Sequence, residues 1–241
     1  MEQGGMSLFY REHVGTLLAE RFPVTLYLGL TAFIISQILG ILFGTISALR
    51  RGTGTDTAVT LLANLGITVP VFWLGILLIY VFGLKLDWLP RFGYTSPLVD
   101  FGRSVRQAVL PVICLAIFPL AAAARQTRSS MLEVIRQDYV RTAWAKGLKE
   151  RVIVMKHVLK NGLIPVVTLA GISLSLILGG SVLVETVFNI PGMGRLVVEA
   201  VQSQDYAIIQ AIILITAAMI VAVNLLVDVS YGWLDPRVRY A

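Results

Sequence analysis

The sequence is short of charge. Only 14% of its 241 residues are Asp, Glu, Lys or Arg, where an ordinary soluble domain has about 25%. With 56% hydrophobic residues and a mean hydropathy of +0.80, that shortage excludes a soluble globular chain and points to an integral membrane protein. Cysteine occurs once, as Cys114 inside an apolar run, so no internal disulfide can form. The two histidines, His13 and His157, lie far apart in sequence, which leaves no metal-ligand cluster and no Ser/His/Asp or Cys/His constellation. The dipeptide Gly-Lys never occurs, so there is no phosphate-binding loop of the GxxxxGK[ST] kind. Residues 1–22 lack a continuous apolar core and do not read as a signal peptide.

What is present is a set of long apolar stretches. About 20 apolar residues suffice to cross a bilayer. Five spans are predicted, over about Val24–Leu49, Thr57–Leu84, Gln107–Ala124, Asn161–Val184 and Tyr206–Val227. Their interiors hold no Asp, Glu, Lys or Arg. Proton- or sodium-coupled carriers usually bury such groups, so a self-energised carrier is disfavoured. Span one carries Gly40 and Gly44 at GxxxG spacing, extended by Ala48, and Gly171, Ser175 and Gly179 form a small-residue stripe on span four. Small residues at this spacing let helices approach closely. Pro70 falls near the middle of span two and predicts a kink there. Such a break either lines a substrate path or adjusts packing. Val14–Phe22 reads as a short interfacial helix ending at Pro23, and the loop 85–106 offers Trp88 and Tyr94 to an aromatic belt.

One long stretch is polar. From Arg125 to Lys160 it holds nine basic residues against Glu133, Asp138 and Glu150. A basic loop between spans belongs on the cytoplasmic side. The net charge of +6 is concentrated there and at Arg50 and Arg51, so it reports topology and not nucleic-acid binding. Within the stretch, Val140, Ala143, Trp144 and Gly147 fall on one face of a short helix. Asp138 is positioned to cap it, and Gly147 to turn the chain or admit a close neighbour. The helix either lies on anionic headgroups or docks into a groove of a soluble partner.

After span four, Pro191, Gly192 and Gly194 force a turn, and Arg195–Val201 reads as a short amphipathic helix. This is either the lip of a translocation path or an interfacial hairpin. Glu185 and Glu199 are expected to be solvated or to meet a substrate amine. The tail beyond residue 230, with Arg237 and Arg239, suits the cytosol.

The segment SMLEVIRQDYVRTAWAKGLKE, followed by KHVLKNGLIP, resembles the cytoplasmic signature loop of ABC-importer permeases. The resemblance is closest to the dipeptide, oligopeptide and nickel branch. Gly147 and Ala143 of the family's Glu-Ala-Ala…Gly pattern are kept, but the Glu is replaced by Arg141, and a proline comes only at Pro165. Val187, Phe188, Pro191, Gly192 and Gly194 match the family's extracytoplasmic loop.

The resemblance implies an all-α polytopic membrane bundle of about five transmembrane helices with a cytoplasmic coupling helix. Residues 1–22 would be extracytoplasmic, 23–230 the permease domain and 231–241 a cytoplasmic tail. The family's usual first span has no counterpart in these residues. The implied coupling loop is Asp138, Tyr139, Val140, Arg141, Thr142, Ala143, Trp144, Lys146 and Gly147, with Val140, Ala143 and Trp144 filling a partner's groove. Pro70, Gly171, Ser175 and Gly179 would serve the path or helix packing, and Phe188, Pro191, Gly192 and Gly194 the extracytoplasmic gate or binding-protein contact.

The implied function is permeation of di- or oligopeptides in a bacterial or archaeal plasma membrane, with nickel or glutathione as alternative cargo. The implied partners are a homologous second permease, two ABC ATPase subunits, an extracytoplasmic binding protein and membrane lipid. No cofactor, metal or catalytic residue is implied in this chain, and a carrier or channel acting without an ATPase is the rival from another class.

Overall fold

The computed structural model describes residues 5–7 and 9–234; the end of the tail, with Arg237 and Arg239, lies outside the described residues. Helices dominate. They are α1 (Val14–Leu49), α2 (Gly54–Thr68), α3 (Val71–Lys85), α4 (Phe101–Ile135), α5 (Asp138–Ala145), α6 (Glu150–Gly162), α7 (Ile164–Val187), α8 (Met193–Gln202) and α9 (Tyr206–Leu234). Wider π-helical turns occupy Ile79–Lys85 of α3 and Ile153–Leu159 of α6. Among the described residues the only β-type pairing is an isolated bridge between Met6 and His13.

Three helices are each long and apolar enough to cross a membrane: Val14–Leu49, Phe101–Ile135 and Tyr206–Val227. The other two expected spans are broken pairs, Gly54–Thr68 with Val71–Lys85 and Glu150–Gly162 with Ile164–Gly179; the total is five if each pair is one crossing. Pro70 does more than kink a continuous helix. Proline disfavours the helical conformation in the residue before it and offers no N–H. Here Pro70 is extended (φ −62°, ψ 130°), its carbonyl accepts from the Leu74 N–H at 3.0 Å, and the helix direction changes by 104° at the break. At the second break the change is 51°. Pro165 sits in the first turn of α7, where a missing N–H costs nothing.

Two boundaries differ from expectation. The interfacial helix ending at Pro23 is instead the first part of α1, which begins at Val14 with Pro23 inside it. Leu17 and Leu18 before the proline and Val24 and Leu28 after it are all buried, so tertiary packing outweighs the missing hydrogen bond. Likewise α4 runs from Phe101 to Ile135, past Arg125, where span three was expected to end.

The chain packs as two compact units. One comprises Met1–Phe33, Val69–Ala116 and Leu174–Ala222. Its main core contains Leu28, Ala32, Leu110, Cys114, Phe188 and Ile190, and a smaller one contains Leu17, Leu18, Leu196 and Ile208. The other comprises Ile34–Thr68, Ile117–Ser173 and Val223–Ala241, with a core of Ala48, Met131, Val140, Ile153 and Val158.

Lipid is as apolar as these side chains, so close packing and not removal from water holds such helices together. The second unit shows how. A Cβ on Gly40 would lie 2.6 Å from the Ala123 Cβ, and one on Gly44 2.6 Å from the Thr127 Cβ and against the Ala124 carbonyl. The GxxxG pair is therefore where α1 lies on α4. The stripe on α7 is not one continuous contact. Gly171 abuts Val227 of α9, whereas Gly179 is exposed with nothing within 4 Å of a Cβ.

Candidate functional site

The polar stretch folds as a compact hairpin on the second unit. α5 is only eight residues long, Asp138–Ala145. A helix that short does not persist alone in water. Two side chains anchor it: Val140 (1% exposed) and Ala143 (5%) sit in the core with Met131, Ile153 and Val158. The expectation that Val140 and Ala143 fill a partner's groove is therefore corrected, because both are consumed inside this chain. The outward surface is Tyr139, Thr142, Trp144, Lys146 and Gly147, all exposed, with Arg141 and Asp138 at its edge. Tyr139 is tied to α6, the returning arm of the hairpin: the Asn161 amide donates to its hydroxyl at 2.9 Å.

The ends of α5 are defined by backbone. Gln137, not Asp138, is the N-cap residue and makes no side-chain cap bond; Asp138 is the first helical residue. There its carboxylate faces the positive end of the helix and lies 3.7 Å from Arg141 on the surface. At the other end the Gly147 N–H donates to the Trp144 carbonyl (2.9 Å) and the Leu148 N–H to that of Ala143 (3.4 Å). This is the Schellman pairing, which needs a left-handed residue, and Gly147 supplies it at φ +73°. Nothing lies within 4 Å of a Cβ there, so the glycine is required for its conformation and not for space. Gly147→Val is expected to cost about 1–2 kcal/mol of local stability. Hydrogen exchange of the Leu148 amide should quicken accordingly; an unchanged rate would refute the turn's role.

Sequence reasoning missed one cluster. Asp56, 6% exposed, accepts from Ser47 Oγ (2.5 Å), the Gly52 N–H (2.9 Å) and both Nε (2.7 Å) and Nη2 (2.9 Å) of Arg128. This bidentate pair fixes the α1–α2 turn to α4. It also lets α4 continue past Arg125: Arg128, only partly exposed, is paired within the fold. No sequence spacing links positions 56 and 128; the only hint was a lone acid following Arg50 and Arg51.

The extracytoplasmic loop of the resemblance also folds inward. The helix expected over 195–201 spans Met193–Gln202. Glu185 is neither solvated nor open to a substrate: it is fully buried. Its carboxylate accepts from Thr25 Oγ1 (2.8 Å) and the Arg195 N–H (3.0 Å), and Thr25 Oγ1 accepts from the Met193 N–H (2.9 Å). The free N–H groups that open α8 thus meet a buried anion and a hydroxyl. Gly192 and Gly194 are buried and leave room for that carboxylate, and Phe188 is 2% exposed in the main core beside Gly75.

Of the expected gate residues only Pro191 is partly exposed, because the glycines and the phenylalanine build the loop from within. Glu199 accepts from Tyr10 (2.7 Å) and Arg195 Nε (2.8 Å). Burial and that carboxylate push the Tyr10 phenol up to about 12. Asp205 accepts from the Ser7 hydroxyl at 2.6 Å.

A family model described as the binding-protein-dependent transport system inner membrane component matches residues 40–240. The chain belongs to that family. This inner-membrane transport component is 40% identical over 256 residues to the di/tripeptide transport system permease protein DppB of Pseudomonas aeruginosa, covering 98% of this chain and 76% of that one. It is 42% identical over 236 residues to the "Probable peptide ABC transporter permease protein y4tP" of Sinorhizobium fredii, covering 98% and 75%. Among solved structures, a chain of the inward-facing MetNI methionine ABC transporter superposes with a TM-score of 0.73, at 18% identity, over 90% of this chain and 96% of that one. That likeness shows the fold, an all-α helical bundle.

Proposed function

We propose that this inner-membrane component is a peptide permease subunit of an ATP-driven importer and that the outward face of α5 is where an ATPase subunit grips it. The observation that carries the coupling role is the division of α5 into two faces. Val140 and Ala143 bind it to the unit it must move, while Tyr139, Thr142, Trp144 and Lys146 are exposed on the same two turns. A lever needs both a rigid root and an exposed grip. The peptide cargo is supported by the relatives named for peptide transport, at 40% and 42% identity. In this reading the nucleotide-driven closure of two ATPase subunits moves α5 as a rigid body, and the spans change access around the path. A second permease chain and an extracytoplasmic binding protein complete the assembly. Pro70, exposed at the break between α2 and α3, belongs to the path, and the Pro191 turn belongs to the extracytoplasmic end.

The test is uptake of a radiolabelled tripeptide by cells carrying the whole transporter, with affinity purification through this chain. Trp144→Ala combined with Lys146→Glu is expected to lower both uptake and recovered ATPase subunit at least about tenfold, a change of roughly 1.4 kcal/mol or more. The variant should express as well as wild type, since both side chains are exposed. Undiminished ATPase recovery and uptake would remove α5 as the grip.

A further inference from the structure

Beneath α5 the second unit holds a cleft of about 320 Å³. Its walls are apolar, with Leu49 from the end of α1, Leu132 from α4, Trp144 from α5 and Ile153 from α6. Arg51 and Arg136 line it too, with Glu150 as the single acid. Neither guanidinium makes an ion pair among the described residues, unlike Arg128, Arg141 and Arg195. An apolar cavity bordered by two unpaired guanidiniums matches an amphiphile with an anionic head and a hydrocarbon body.

The approach to the cleft is also apolar. Ile34 (54% exposed), Ile38 (60%), Leu42 (49%) and Leu49 (45%) fall on one side of α1. With 1.5 Å rise per residue, Ile34 to Leu49 is about 22 Å of helix, well over half of the ~30 Å hydrocarbon thickness. A chain lying along this stripe would pass from the hydrocarbon layer to the cleft without leaving an apolar surface. The basic residues then sit at the level of the headgroup, where pockets between membrane helices on the cytoplasmic side hold anionic lipids.

The geometry points to a binding site for one anionic phospholipid in this cleft, phosphate between Arg51 and Arg136 and acyl chain along α1. The site touches both faces of the hairpin's root, so its occupant braces α5 through Trp144. The inference needs only that α1 lies in a bilayer; it does not depend on the cargo or on the ATPase grip.

Two measurements test it on the full chain. In the first, a photoreactive benzoylphenylalanine replaces Leu49 in the membrane-embedded protein, and the crosslinked product is weighed after irradiation. A phospholipid-sized adduct is expected. A crosslink to an ATPase subunit, to a second copy of this chain, or to nothing overturns the site. In the second, native mass spectrometry titrates phosphatidylglycerol and phosphatidylcholine onto the purified protein. Wild type is expected to bind one phosphatidylglycerol at least about tenfold more tightly than phosphatidylcholine. Arg51→Ala with Arg136→Ala should erase that preference, while Arg141→Ala with Lys149→Ala, elsewhere on the hairpin, should keep it. Equal losses in both double variants would mean diffuse surface charge and overturn the proposal, as would a preference surviving in Arg51→Ala/Arg136→Ala. The first measurement keeps the wild-type arginines, so it decides the matter even if the double variant misfolds.

Discussion

Gly194→Ala is expected to destabilise the protein by about 3 kcal/mol or more, at the upper end for overpacked sites. The new methyl would stand 2.6 Å from the Cα and 2.8 Å from the N of Val182, backbone atoms inside α7 that have no rotamer to change. Gly192→Ala is different in kind. Its methyl meets the Glu185 carboxylate, the end of a side chain. That carboxylate is held by Thr25 and the Arg195 N–H, so moving it leaves buried polar groups unpaired, at roughly 1–3 kcal/mol each.

The two glycines can therefore be told apart by a double-mutant cycle. Adding Glu185→Ala should recover much of the loss in Gly192→Ala and little of it in Gly194→Ala. The atoms nearest the first methyl are those of the carboxylate, whereas the second is pressed chiefly by the Val182 backbone, with the carboxylate farther off at 3.0 Å. Thermal unfolding of the purified protein reads this directly. Simple additivity at Gly192 would show that the carboxylate is not what the glycine accommodates.

The second large effect lies in the GxxxG contact. Gly44→Leu is expected to disrupt the packing of α1 on α4 and to cost at least about 3 kcal/mol, since even a Cβ would press on the Ala124 carbonyl and lie 2.6 Å from Thr127. Gly15→Ala on the same helix is the control. Nothing lies within 4 Å of a Cβ there, so removing a flexible helical glycine should leave stability unchanged or raise it by about 0.5–1 kcal/mol. The contrast, scored as monodisperse yield and melting temperature, separates packing from propensity. If both variants melt alike, the close approach of α1 to α4 does not hold the second unit together.

The structure corrected the sequence reading in a consistent direction. Among the described residues, apolar length located the three helices long enough to cross a membrane and the two broken pairs, and the periodicity over 140–147 located α5. What it could not assign was which face of α5 looks inward. Val140 and Trp144 are one turn apart on the same stripe, yet one is 1% exposed and the other 50%. The stripe marks apolar side chains, and only the position of Met131 and Ile153 decides which of them are used up. The same limit applied to Glu185 and Phe188. The turn residues Pro191, Gly192 and Gly194 announced a loop, but glycine reads alike whether it frees a φ angle, as Gly147 does, or clears space for a buried carboxylate, as Gly192 does.

Composition alone determined that this chain lives in a membrane, because 241 residues so poor in charge cannot cover a soluble surface. The run of bases marked the one long polar stretch between apolar segments, because nine basic residues between Arg125 and Lys160 have no place in a hydrocarbon layer. Tertiary structure alone decided that Asp56 meets Arg128, that Glu185 closes the start of α8 and that Gly40 and Gly44 lie on α4. Each joins positions distant in sequence, and a local pattern carries no record of what a distant helix brings against it.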